Sequence, residues 1–213
     1  MHVVTAGDSA TEGNVPDTKL REQINVLNSS FAGTEFSFRL AGVDRTMRPD
    51  WHKAERGSTE ENQMKHTLRR GRVSELNVYL TDSKDYLGWA TFPWDFASNP
   101  DNDGVVLNWA ALPGGWMHGY TQGKVLVSEV GNWLGLFDVF EGGCTSPGDH
   151  VEDTPPTAAP MQGCPEGRDT CPLPGTDPIH NYMNTTYDTC RNQFTPGQIK
   201  RMHLTARQYR GVG

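Results

Sequence analysis

Residues 128 to 138 read Ser-Glu-Val-Gly-Asn-Trp-Leu-Gly-Leu-Phe-Asp, and the fold turns on how this stretch is read. The run from about Gln122 to Phe137 has helical periodicity, with Leu126, Val130, Trp133 and Phe137 on one stripe and Val125 and Leu136 adding apolar surface elsewhere. Gly131 and Gly135 leave a smooth patch for close packing. A helix apolar nearly all round is buried, so Ser128, Glu129 and Asn132 form a polar seam that must find partners or line a cleft. Gly135 can end the helix in a left-handed conformation and swing Asp138 back toward the seam. A satisfied hydrogen-bond network would give the same pattern as an active site.

Working outward, His2 to Thr5 reads as a strand. A helix is expected from Thr18 to Phe31, where Leu20, Ile24, Leu27 and Phe31 recur at helical spacing. Thr34 to Val43 alternates well enough for a strand, Glu60 to Arg70 reads as a helix, and Glu75 to Leu80 and Gly104 to Trp109 read as strands. Alternating strands and helices imply a mixed sheet with helices packed on it. Between the last two strands, Trp89, Phe92, Trp94 and Phe96 punctuate a loop that either grips a ligand or covers a core edge.

The 213 residues are 35% hydrophobic and 21% charged, an ordinary globular composition. The 23 glycines and 14 prolines crowd the later part of the chain and predict long fixed loops there. A formal net charge of −7 argues against nucleic acid and anionic membrane as partners. The basic run Lys65 to Arg72 is either a docking patch or a set of cations at a helix C-terminus. No stretch reaches the roughly 18 apolar residues that span a bilayer.

Cys144, Cys164, Cys171 and Cys190 all lie in the loop-rich segment, which suggests two disulfides and secretion, with a leader absent from this sequence. Four cysteines allow three connectivities, and zinc is the rival reading, although no CxxC spacing occurs. Sequons at Asn28 and Asn184 fit a secreted eukaryotic protein. The acidic loop residues Asp149, Glu152, Asp153, Asp169 and Asp177 form a candidate calcium site or a solvated surface.

Histidine in place of Ser128, Asn132 and Asp138 would complete HExxHxxGxxH, a zinc-protease signature. Together with GNVPD, NVLNSSFAGTEFSFRLAGVDRT, GDHVEDTP, CPEGRDTCP, DPIHNYMN and FTPGQIKRM, the segment makes the chain resemble the pappalysin family of metzincin metalloproteases nearly end to end. The resemblance implies an α+β zincin fold over residues 1–213. Its upper lobe, about 1–138, would hold a twisted mixed five-stranded sheet with long helices, and its lower lobe, about 139–213, disulfide-bonded loops. It also implies Cys144–Cys171 and Cys164–Cys190 pairing, a Met-turn at Met183, and calcium in the lower lobe.

Carried over residue by residue, the resemblance places Ser128, Asn132 and Asp138 where active members hold zinc-binding histidines. Glu129 stands at the general base. Asn184 replaces an aspartate common after the Met-turn methionine, and Thr185 replaces a tyrosine that stabilises the tetrahedral intermediate. Hydroxyl, amide and carboxylate are a poor set for zinc, and without the metal Glu129 has no acidified water to deprotonate. No zinc is therefore expected. The expectation is a monomeric, secreted pseudoprotease that holds a peptide, protein or small molecule in its cleft. Two alternatives stand beside it: a metal-independent enzyme using Glu129 and Asp138 as an acid and base pair, and a residual metalloprotease with an atypical metal site.

Overall fold

The computed structural model describes residues 1–212. Its sheet has strands β1 (His2–Thr5), β2 (Asp44–Met47), β3 (Val78–Thr81), β4 (Gly88–Ala90) and β5 (Val105–Asn108), in the order β2-β1-β3-β5-β4. The β1, β2, β3 and β5 pairings are parallel, while β4 lies antiparallel on β5 at the sheet edge. Side chains alternate across this sheet as the twofold strand period requires. Val3, Val78, Leu80, Val105 and Leu107 point to a core shared with α1 (Asp17–Ser30) and α4 (Lys124–Trp133). Val4, Tyr79 and Val106 point the other way, to Trp51 of the short α2 (Pro49–His52) and to Met64 and Leu68 of α3 (Thr59–Leu68).

Residues 34–43 correct the strand expected there, because the sheet takes up the chain only at Asp44. The alternation of Phe36, Phe38 and Leu40 packs against helices instead. Asn28 of α1 substitutes for a strand partner, donating to Phe38 O at 2.9 Å and accepting from Phe38 N at 2.8 Å. Phe36 stacks on His203 of α5 (Pro196–Thr205), a helix the sequence pattern does not delimit.

The aromatic segment contributes β4. Trp89 is buried, with its indole N–H donating to Glu61 at 2.6 Å. Phe92 stacks on Trp94 with ring centres 4.8 Å apart, and both lean on Phe137. These rings pack mainly on one another and on the core edge. The basic run closes α3: Arg69 and Arg70 donate to the carbonyls of Thr67, Arg69, Gly71 and Arg72, and Lys65 is buried against Glu61 at 2.7 Å.

Beyond residue 138 the chain is mostly turns until α5, tied by Cys144–Cys171 and Cys164–Cys190. Among the described residues, no helix is long and apolar enough to cross a membrane.

Candidate active-site cleft

Helix α4 carries the polar seam, and it is shorter than its periodicity suggests. Gly123 caps its start at φ +77°, and Gly135, at φ +99°, breaks it two residues after its last turn. The left-handed glycine returns the chain, so that Ser128, Glu129, Asn132 and Asp138 all line one cleft of about 700 Å³. Strand β4 forms one wall, with Glu129 packed so closely behind Gly88 that a Cβ there would meet Glu129 Cγ at 3.0 Å. Asn184, Thr185 and Met161 also line the cleft.

Met183 is fully buried beneath α4, its sulfur filling the space a side chain at Gly131 would need. Asn181 Oδ1 accepts from Met183 N at 2.9 Å, and Val139 N donates to Met183 O at 3.0 Å. The turn therefore fixes the segment that follows α4. Asn184 is 2% exposed, donates from Nδ2 to Pro178 O at 3.3 Å and accepts from Thr185 N at 2.7 Å, so this sequon asparagine has no room for a glycan in the folded chain. Thr185 bonds both the N–H and the carbonyl of Met161, at 2.9 and 2.8 Å.

The decisive group is one that no sequence pattern marks. Arg191 is 2% exposed yet contributes to the cleft lining, and its Nη1 donates to Ser128 Oγ at 2.6 Å and to Asn184 O at 3.1 Å. Its Nη2 donates to Asp188 Oδ1 at 2.5 Å. Asp188 in turn receives the backbone N–H groups of Gln122 and Lys124 at the start of α4, where a carboxylate also complements the helix dipole. Ser128 Oγ is thus doubly engaged, since it donates to Tyr182 O at 2.6 Å. Asn132 Nδ2 donates to Leu136 O at 3.0 Å. A lone arginine after a cysteine carries no signal of such a role.

Glu129 and Asp138 open onto the cleft but are crowded by protein. Burial, reinforced by the Asp138 charge, pushes the Glu129 carboxyl up to about 8. Burial likewise raises Asp138, to about 6, against the downward pull of a hydrogen bond from Asn132. Both carboxyls are thus raised above their ordinary range, Glu129 the further.

Among the described residues no three of Asp149, Glu152, Asp153, Asp169 and Asp177 bring carboxylate oxygens within 4.8 Å of one another. Three of these carboxylates accept from separate protein donors. Asp149 accepts from Thr154 and Val151 N, Asp153 from Thr195 and Gly197 N, and Asp177 from Thr170.

Comparison with known proteins agrees with this architecture. The family model described as pregnancy-associated plasma protein-A, a peptidase family, matches residues 62–206. An extracellular metalloprotease of Verticillium alfalfae is 44% identical over 99% of this chain and 75% of its own length. Extracellular metalloprotease 1 of Coccidioides posadasii is also 44% identical, over 99% of this chain and 76% of its own. Among solved structures, mature mirolysin of Tannerella forsythia in complex with a cleaved peptide superposes with a TM-score of 0.79 at 30% identity, covering 95% of this chain and 87% of that one. The chain belongs to the pregnancy-associated plasma protein-A family of peptidases.

Proposed function

We propose that this chain is an extracellular, catalytically silent member of its peptidase family that holds an extended peptide in the cleft without cutting it. The observation that carries this reading is the Arg191 guanidinium bonded to Ser128 Oγ at 2.6 Å. The resemblance to metzincins puts a zinc ligand at residue 128. Here that position offers a hydroxyl already donating to one carbonyl and accepting from a fixed cation, which is electrostatically hostile to a divalent ion. Asn132 is turned to the Leu136 carbonyl, and only Asp138 remains a respectable zinc ligand. These residues do not fit zinc.

The binding surface needs no metal. Strand β4 is paired on one side only, by β5, and its residues line the cleft, so its other edge can accept an extended peptide by strand addition. That a related protein, mirolysin, has been solved with a cleaved peptide supports the choice of a peptide over a small molecule.

The test pairs binding with turnover. A fluorescent peptide library is titrated against the purified chain and incubated with it in the presence of added zinc, with and without a chelator. Binding without cleavage, lost in Asn132→Trp, is expected. Cleavage that zinc supports and chelation abolishes would sink the reading.

A second reading rests on Glu129 and Asp138 lining the same cleft with both carboxyls raised to different extents, which would provide an acid and a base for metal-independent hydrolysis. Cleavage that survives chelation and disappears in Glu129→Gln and Asp138→Asn would favour it.

A further inference from the structure

Three of the most deeply buried carboxylates of this molecule each have a cation beside them. Lys65 Nζ lies 2.7 Å from Glu61, Arg191 Nη2 2.5 Å from Asp188, and Arg210 Nη1 2.9 Å from Asp103. Glu129 and Asp138 differ. Both line the cleft, and among the described residues neither forms an ion pair. Asp138 receives a hydrogen bond from Asn132, and Glu129 receives none. A carboxylate held away from bulk water without a partner is an incomplete arrangement that a cationic guest would complete.

A third acceptor stands beside them. Asn132 is 8% exposed and lines the cleft, and because its Nδ2 donates to Leu136 O, its Oδ1 is left without a donor. An ammonium group carries three N–H donors and no acceptor, so two carboxyls and an amide oxygen complement it where they do not suit zinc. The surrounding charges permit it. At Glu129 the Asp138 charge outweighs that of Arg56 and that of Arg191, and at Asp138 the Glu141 charge does the same. A single charge also meets half the repulsion from Arg191 that a divalent ion meets.

Depth selects which ammonium can reach the site. Glu129 lies directly behind Gly88 of β4, where a Cβ would meet Glu129 Cγ at 3.0 Å and Oε1 at 3.3 Å. Its carboxyl therefore stands level with the strand backbone. A peptide added to the open edge of β4 brings its main chain to that level, and only its first residue carries a main-chain cation. A lysine ammonium instead sits at the end of a flexible four-carbon stem. We propose that Glu129, Asp138 and Asn132 Oδ1 capture the α-ammonium of a peptide N-terminus, so that the bound peptide begins in the cleft and pairs its following residues with β4. This rests on the cleft holding a peptide.

The test compares three valine-rich peptide amides by isothermal titration: one with a free N-terminus, one acetylated, and one acetylated with a central lysine. The free peptide should bind about tenfold or more tightly than the acetylated one, as expected for a lost charge-assisted hydrogen bond. That preference should vanish in Glu129→Gln and in Asp138→Asn, with circular dichroism confirming that each variant is folded. Equal affinity of the free and acetylated peptides would overturn the ammonium site while leaving the cleft a peptide binder. Equal affinity of the free and the lysine peptides would overturn the assignment to the N-terminus, since both carry the same charge. If no peptide binds, the peptide-holding function fails, and n-butylammonium alone then decides the site. Amide NMR shifts at Gly88 and Glu129 that are lost in Glu129→Gln would uphold ammonium capture, and their absence would overturn it.

Discussion

Arg191 Nη1 donates to Ser128 Oγ across 2.6 Å, joining the segment after Met183 to the helix that carries the polar seam. The guanidinium is also the buried partner of Asp188, which is 1% exposed and caps α4. Removing one member of a buried ion pair leaves an uncompensated charge, at a cost of about 3–5 kcal/mol. Arg191→Met should therefore lower the free energy of unfolding by about that amount. The double variant Arg191→Met, Asp188→Asn should recover part of it. Denaturant unfolding of the single and double variants measures the coupling, and purely additive effects would contradict the pairing.

Gly131 faces the sulfur of Met183 with no space for a methyl group. Because α4 is held from all sides, the overlap cannot be relieved by moving the helix alone. Overpacking of this kind costs roughly 1–3 kcal/mol. Gly131→Ala should show that loss, and its combination with Met183→Ala should cost less than the sum of the two single substitutions, measured by thermal unfolding.

How much of the molecule is legible in its sequence depends on the range of the interactions. The polar seam of α4, the return of Asp138 after Gly135 and the buried Met183 are readable because they are set by helical period, a positive-φ glycine and a family motif. Residues 34–43 mislead because alternation records one buried side without saying whether a sheet or helices bury it. Arg191 is invisible because its partners Ser128 and Asn184 are 63 and 7 residues away, and only the fold closes that triangle. Composition is equally silent about the acidic loop, where Asp149 and Asp177 accept from nearby threonines while Asp153 accepts from Thr195, 42 residues away.

The Glu129 carboxyl gives a pH signature with a definite sign. Its pKa is raised from 4.5 to about 8 in the folded chain, so between those values the folded state holds a proton that the unfolded state has lost. Stability then falls as pH rises through this window. A tenfold change in proton affinity corresponds to about 1.4 kcal/mol, and allowing for contact with cleft water the expected loss is on the order of 2 kcal/mol. Glu129→Gln, neutral throughout, should flatten the profile and gain relative stability at pH 8–9. Unfolding free energies measured from pH 5 to pH 9 check this, and a parallel profile in the variant would contradict it.

Placing histidine at the three positions that the resemblance assigns to zinc ligands should not by itself create a tight zinc site. In Ser128→His, Asn132→His, Asp138→His the new imidazoles would share their floor with the Arg191 guanidinium, which stands within hydrogen-bonding distance of residue 128. A unit charge repels a divalent ion 4 Å away by roughly 8 kcal/mol at an effective dielectric constant of 20, before any relaxation of the side chain. Even a small surviving fraction is a large factor, since about 1.4 kcal/mol is tenfold in affinity. The triple variant should therefore bind zinc at least about tenfold more weakly than the same variant carrying Arg191→Met and Asp188→Asn, which removes the cation without stranding its partner. Zinc per chain and competitive chelator titration of the two proteins decide the matter. Equal affinities would mean that Arg191 does not oppose the metal, and the case against zinc would then rest on the missing ligands alone.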